Sequence, residues 1–163
     1  MKLQTRLTAL VSAIIILISA AIGLFAISIT ENNEVGRVDS ILASAVNQLV
    51  DTDDDPLSLA LLLADQSDLN FTVSYISAAR EITSLNQSSG DLQSVPSDQD
   101  LSEAMAEGLT LEIDGINRIR AIALPDDEFL VLSVSLADIK TAKSQNIRYL
   151  FLFTLAMVLL GTA

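Results

Sequence analysis

From Leu7 to Ile29 the chain runs for 23 residues without a charge, and thirteen of them are Leu, Ile, Val or Phe. A helix of that length rises about 34 Å, which exceeds a hydrocarbon core of about 30 Å and leaves room for tilt. Each apolar side chain near the centre favours insertion by up to about 0.5 kcal/mol, whereas one central charge opposes it by about 3 kcal/mol, and none is present. The pattern predicts a transmembrane helix over residues 7–29, preceded by a short tail at 1–6. A cleaved signal peptide is the alternative, since Lys2 and Arg6 resemble its basic start. The apolar run is longer than the usual hydrophobic region of about 7–15 residues and leads straight into a further helical pattern, which favours an uncleaved anchor.

That second pattern places Val35, Val38, Leu42, Ala45 and Leu49 at alternating spacings of three and four, with Ile41 and Val46 widening the stripe. It predicts an amphipathic helix from about Glu31 to Val50. The stripe serves either the core of one domain or a parallel helix pair in a dimer; two heptads fit both. Within the first span, Ser19 and Gly23 form a small-xxx-small pair that suits helix approach or simply faces lipid. Asp55 followed by Pro56 starts another helix, which carries Leu57, Leu59, Leu61, Leu62 and Leu63 to about Gln66.

At Leu69 the period changes to two. Leu69, Phe71, Val73 and Tyr75 alternate with Asn70, Thr72 and Ser74, which predicts a strand with one buried and one solvated face. A second short strand is expected around Glu81 to Leu85, then a surface loop from Gln87 to Pro96. Ser97 caps a short helix with Leu101, Ala104 and Met105 inward, ended by Gly108. Leu109 to Ile113, the hairpin signal Asp114-Gly115, the run Ile116 to Leu124, the turn at Pro125 to Asp127 and the alternation from Leu130 to Leu136 predict a three-stranded antiparallel meander. Ser135 and Asp138 start a last helix, which continues without Pro or Gly into the uncharged run Tyr149 to Ala163.

Those final 15 residues cover about 22 Å, so residues 147–163 read as the start of a second transmembrane helix, with Tyr149, Phe151 and Phe153 as an interfacial belt. Further apolar residues and then Lys or Arg are expected beyond Ala163 in a longer parent protein. The fold class is therefore α+β: a transmembrane helical hairpin bracketing a domain at 30–146 that has a long N-terminal helix and an antiparallel sheet.

Charge sharpens the placement. Lys2 and Arg6 precede the first span and Glu31 and Glu34 follow it, so the positive-inside bias puts the N-terminus in the cytoplasm and residues 30–146 outside. Thr30 to Ile147 holds all 21 acidic residues and six basic ones, a net charge of −15, which excludes nucleic acid as a natural partner and leaves membrane lipid to the apolar ends. There is no Cys and no His. Disulfides, common zinc sites and Ser-His or Cys-His nucleophiles are thereby unavailable, and no motif places a carboxylate pair for acid-base work; no catalytic residue is assigned.

Two clusters are candidate sites. Asp51, Asp53, Asp54 and Asp55 offer oxygen ligands to a hard divalent cation, the one cofactor suggested. Against this, Asp55 suits an N-cap, and the spacing lacks the central Gly and distal Glu of a calcium loop. Arg118 and Arg120 fall on one face of a strand with Ile122 and Leu124, where two guanidiniums can hold a carboxylate ligand or pair with neighbouring acids.

The opening "KLQTRLTALVSAIIILISAAIGLFAI" and the stretch "INRIRAIALPDDEFLVLSVSLADIKTA", together with the order of elements, resemble the N-terminal sensor region of bacterial membrane sensor histidine kinases with PAS-like, Cache or PDC-type extracytoplasmic domains. In such kinases an R-x-R strand, a turn and a strand like "LVLSVSL" lead into the exit helix. The resemblance implies a homodimer that senses an unknown extracytoplasmic ligand and signals across the membrane. Phosphoacceptor and ATP-binding domains, and contact with a response regulator, would belong to a cytoplasmic half not in this chain. Chemoreceptors and membrane cyclases share this front end; an anchored structural or assembly protein is the remaining alternative.

Overall fold

The computed structural model describes residues 3–51, 55–66, 71–86, 91–92, 94–105 and 110–161. Its helices are α1 (Leu3–Val50), α2 (Pro56–Gln66), α3 (Asp98–Met105) and α4 (Ala137–Gly161), and its strands are β1 (Thr72–Ile76), β2 (Ile82–Ser84), β3 (Leu111–Ile113), β4 (Asn117–Leu124) and β5 (Glu128–Ser135). They form two compact units, one of Met1–Glu34 with Asp138–Ala163, the other of Val35–Ala137.

The first unit is a helix pair. Among the described residues α1 is the one helix long and apolar enough to cross a membrane, and Leu7, Leu10, Ile14, Leu17, Ile18, Ile22 and Phe25 are all exposed along it. Gly23 lets α4 approach closely, because a Cβ there would lie 2.6 Å from Leu150 Cδ1. Ser19 lines a small cavity of about 60 Å³ with Leu150, Phe153, Thr154 and Met157. Further along, Lys143 Nζ lies 2.6 Å from Glu31 Oε2. The small pair Ser19/Gly23 thus packs against a helix of the same chain. Asp138, Lys140, Lys143 and Arg148 occupy the first half of α4.

The second unit is a five-stranded antiparallel sheet in the order β2-β1-β5-β4-β3. The chain's fold class is α+β, with the long N-terminal helix and antiparallel sheet expected from the pattern. The expected meander is present as β3-β4-β5. Its first turn takes positive φ at both Asp114 (56°) and Gly115 (68°), which is the reason a Gly sits there, and the register, with Ile113 opposite Asn117, makes the connection three residues long where two were expected. Long-range pairing then sets β5 in the middle, with Thr72 opposite Ser133 and Tyr75 opposite Leu130. Beyond the end of β2, Asn86 takes over from the edge strand: its Oδ1 accepts from Val73 N at 2.6 Å and its Nδ2 donates to Phe71 O at 2.9 Å.

Both faces of the sheet are covered. On one lie α1, whose Val38, Leu42, Ala45, Val46 and Leu49 are buried, and α2, which packs on β1 and buries Ala60 and Ala64. The α1 stripe is therefore spent on the core of its own domain. Burying each Val or Leu side chain is worth about 1.5–3 kcal/mol, which holds this half of the helix in place. On the other face α3 sits over β4 and β3. Leu101 and Ala104 join Leu92, Ile76, Ile119, Ala121 and Val131 in one apolar cluster. Ser97 starts α3 as expected: Asp100 N donates to Ser97 Oγ at 3.2 Å, and Ser97 N donates back to Asp100 Oδ2 at 3.0 Å.

Because of that second layer, the expectation of a solvated face on the first strand fails. Thr72 and Ser74 are fully buried, as are Phe71 and Val73. Strand β1 also starts at Thr72; Leu69 and Asn70, and the expected helix end at Gly108, lie outside the described residues.

Candidate functional site

The two arginines do share a face of β4, as their spacing requires, and it is the face that α1 covers. Arg118 Nε donates to Asp39 Oδ1 at 2.9 Å and its Nη2 donates to Asp39 Oδ2, a bidentate pair between strand and helix. Glu112 stands opposite Arg118 on β3. Arg120 is only 4% exposed, opposite Leu132 on β5. The arrangement fastens α1 to the sheet, and Arg118 already has a carboxylate partner from the chain itself.

The acidic cluster divides. Asp53 and Asp54 lie outside the described residues. Asp55 caps α2: its carboxylate accepts from Ser58 Oγ at 2.7 Å, from Ser58 N at 3.3 Å and from Leu57 N at 3.4 Å. The Ser58 hydroxyl is the main cause that holds the Asp55 carboxyl below its ordinary range. No group of three potential metal-ligating acids occurs among the described residues.

The residues missed by sequence reasoning lie on the other face of the sheet. Register puts Ser84, Ser74 and Val131 in one row, Thr72, Ser133 and Ile119 in the next, and Asn117 beside Ser135 in a third. A band of small polar side chains thus crosses four strands from an exposed edge at Ser84 to the interior, where Thr72, Ser74 and Ser133 are fully buried and Asn117 is 2% exposed. Thr72 Oγ1 and Ser74 Oγ are buried without a hydrogen-bond partner.

Arg80 stands in the β1–β2 turn on this side of the sheet, held at φ 62° with its N–H donating to Ser77 O at 2.9 Å. Its guanidinium carbon lies 5.0 Å from the centre of the Phe129 ring, and Nη2 is 2.5 Å from Asp98 Oδ1. One sequence signal could have found the band. A solvated strand face in so acidic a domain is expected to carry charges, yet the polar positions of β1 and β5 on this face are Thr72, Ser74, Ser133 and Ser135, with no charged residue.

The two faces are chemically distinct. The strand carboxylates Glu112 and Glu128 belong to the face shared with Arg118, and none belongs to the hydroxyl face. Nucleophilic chemistry gains nothing from isolated Ser and Thr without a base, so the hydroxyl face is suited to binding through hydrogen bonds. No protein-family model, characterised protein or solved structure matches this chain.

Proposed function

We infer that this chain is the stimulus-sensing and signal-input region of a bacterial membrane sensor histidine kinase. Residues 7–29 and 147–163 are its two membrane helices, and 30–146 form a PAS-like domain outside the plasma membrane. The observation that carries this reading is α1, a single helix from Leu3 to Val50 whose first part is the apolar run and whose last part builds the core under the sheet. A signal peptide ends at a small-residue cleavage site, whereas here the helix continues without interruption.

The closeness of α4 to α1 at Gly23 and Leu150 supports a helical hairpin. The covered antiparallel sheet, with a long helix on one face and a short one on the other, supports the PAS-like assignment. A stimulus outside acts by differential affinity for two states of the domain, and the exit helix α4 carries the difference inward in a homodimer.

The coding sequence that continues past Ala163 tests this reading. A HAMP-like helix pair, a His-Glu-containing helix and ATP-dependent autophosphorylation in isolated membranes are the expected results. A receptor or cyclase output domain would move the chain to those families, and a short basic tail would make it an anchored assembly protein.

A further inference from the structure

We propose that the hydroxyl face of β1 and β5 binds a small uncharged polyol or monosaccharide, with Thr72 and Ser74 as its hydrogen-bonding residues. The proposal rests on the sensor reading above and names the class of solute that the domain recognises.

The observation is a pair of unsatisfied groups in a place where folding alone has no use for them. Thr72 and Ser74 stand on the strand next to the sheet's centre, are fully buried, and make no hydrogen bond through Oγ1 and Oγ. A buried hydroxyl without a partner destabilises the fold, and Val at either position would pack better in a strand. Spacing makes the pair useful. Alternate residues on a strand lie about 7 Å apart, and directly opposed residues about 5 Å. Thr72, Ser74 and the Ser133 opposite Thr72 therefore set three hydroxyls within the span of one small molecule.

The surroundings select the chemistry. Hydroxyls donate and accept, as the hydroxyls of a polyol do, whereas a carboxylate only accepts and calls for a cation. The charge of Arg80 on this side is matched by Asp98 through Nη2, and its Nη1, buried without a hydrogen-bond partner, is a further donor suited to a hydroxyl oxygen. No strand residue on this face is acidic, so a cationic solute finds no counter-charge there either. Leu92, Val131 and Ile119, neighbours in or beside the same rows, supply an apolar wall for the carbon skeleton. Ser84, exposed on edge strand β2 opposite Ser74, marks the open end of the band.

The test uses the full chain in lipid nanodiscs, followed by circular dichroism on heating. The probes are glycerol, myo-inositol and D-glucose at millimolar concentration, with succinate and glutamate as charged comparisons. Thr72→Val with Ser74→Ala is expected to raise the midpoint without any probe, since it removes two unsatisfied groups. At least one polyol or sugar is expected to raise the wild-type midpoint saturably and to leave that of the double variant unchanged.

Because the chain has no Cys, Ser74→Cys places a single thiol in the site. The same probe at ten times the Kd measured for that variant is expected to slow modification of that thiol by methyl methanethiosulfonate about tenfold. No shift with any probe, a shift that persists in the double variant, or unprotected Cys modification would overturn the proposal. A shift with succinate or glutamate alone overturns the class of ligand and leaves the sensor reading standing. A polyol site in a parent protein without a signalling output would do the reverse.

Discussion

Arg118 on β4 holds Asp39 on α1 through two parallel hydrogen bonds, across 79 residues of sequence. The pair is partly shielded, with 17% of the Arg118 side chain and 33% of the Asp39 side chain exposed. Its loss therefore falls between that of a surface ion pair and that of a buried one. Asp39→Ala is expected to destabilise the folded chain by about 1–3 kcal/mol, because it strands a guanidinium against a covered sheet face. Arg118→Met should cost less, since its apolar stem still packs and Asp39 is the better solvated partner. Urea unfolding of both single variants and the double variant measures the coupling, and full additivity would show that the pair holds nothing.

Acid should loosen the two helix starts that carboxylates cap. The Asp55 carboxyl is lowered by the Ser58 hydroxyl, against some desolvation and with help from the Leu57 and Ser58 N–H groups; that of Asp100 is lowered by the Ser97 hydroxyl and then its N–H. A folded-state pKa below the ordinary 3.8 means that the stabilisation is complete above that value and is lost as pH falls through the lower, folded one. Asp55→Asn keeps an acceptor for the cap and removes the titration. The expected outcome is near-unchanged stability at neutral pH with a shallower loss in acid, read from thermal midpoints across pH. Asp55→Ala should instead lower the midpoint at every pH above the acid limb.

Gly23 makes a prediction about the helix pair. A Cβ there meets only the flexible end of Leu150, at 2.6 Å from Cδ1 and 2.9 Å from Cδ2. Gly23→Ala should be absorbed by a turn of that side chain, while Gly23→Ile should push α4 away. Cys residues placed at Glu31 and Lys143, whose charged ends lie 2.6 Å apart, allow crosslinking with a short bifunctional thiol reagent. Yield is expected to persist in Gly23→Ala, to fall in Gly23→Ile, and to recover when Leu150→Ala is added to Gly23→Ile.

What the sequence made legible was local. The cap at Ser97, the turn at Asp114-Gly115 and the apolar stripe of α1 each depend on residues within a few positions of one another, and each is present in the structure. The pairing of β1 with β5 depends on contacts between residues far apart in the chain, such as Thr72 and Ser133, for which no short pattern exists. Alternation also tells which residues share a face without telling which faces are covered. That is why Thr72 and Ser74 read as solvated when a layer containing Leu92, Leu101 and Ala104 covers their side of the sheet. The arginines show the same limit. Their shared face followed from spacing, but Asp39 as the partner of Arg118 required knowing where α1 packs.

Helix α4 offers the sharpest test of the proposed signalling role. Ser135 Oγ accepts from Ala137 N at 3.2 Å, so α4 starts with only Leu136 between it and the last residue of β5. No Pro or Gly interrupts it between Ala137 and Leu160. A shift of β5 thus has an unbroken helix to act on, whereas two glycines add flexible backbone and weaken the helix by about 1 kcal/mol each. Inserting Gly-Gly after Thr141 is expected to abolish the response of a kinase reporter joined to this chain. Because the insertion lies outside the sheet and its two covering layers, the amide-exchange protection of β1, β4 and β5 should stay as in the wild type. Retained signalling with an intact sheet would show that α4 is not the transmitter, and loss of sheet protection would show that α4 is needed to fold the domain.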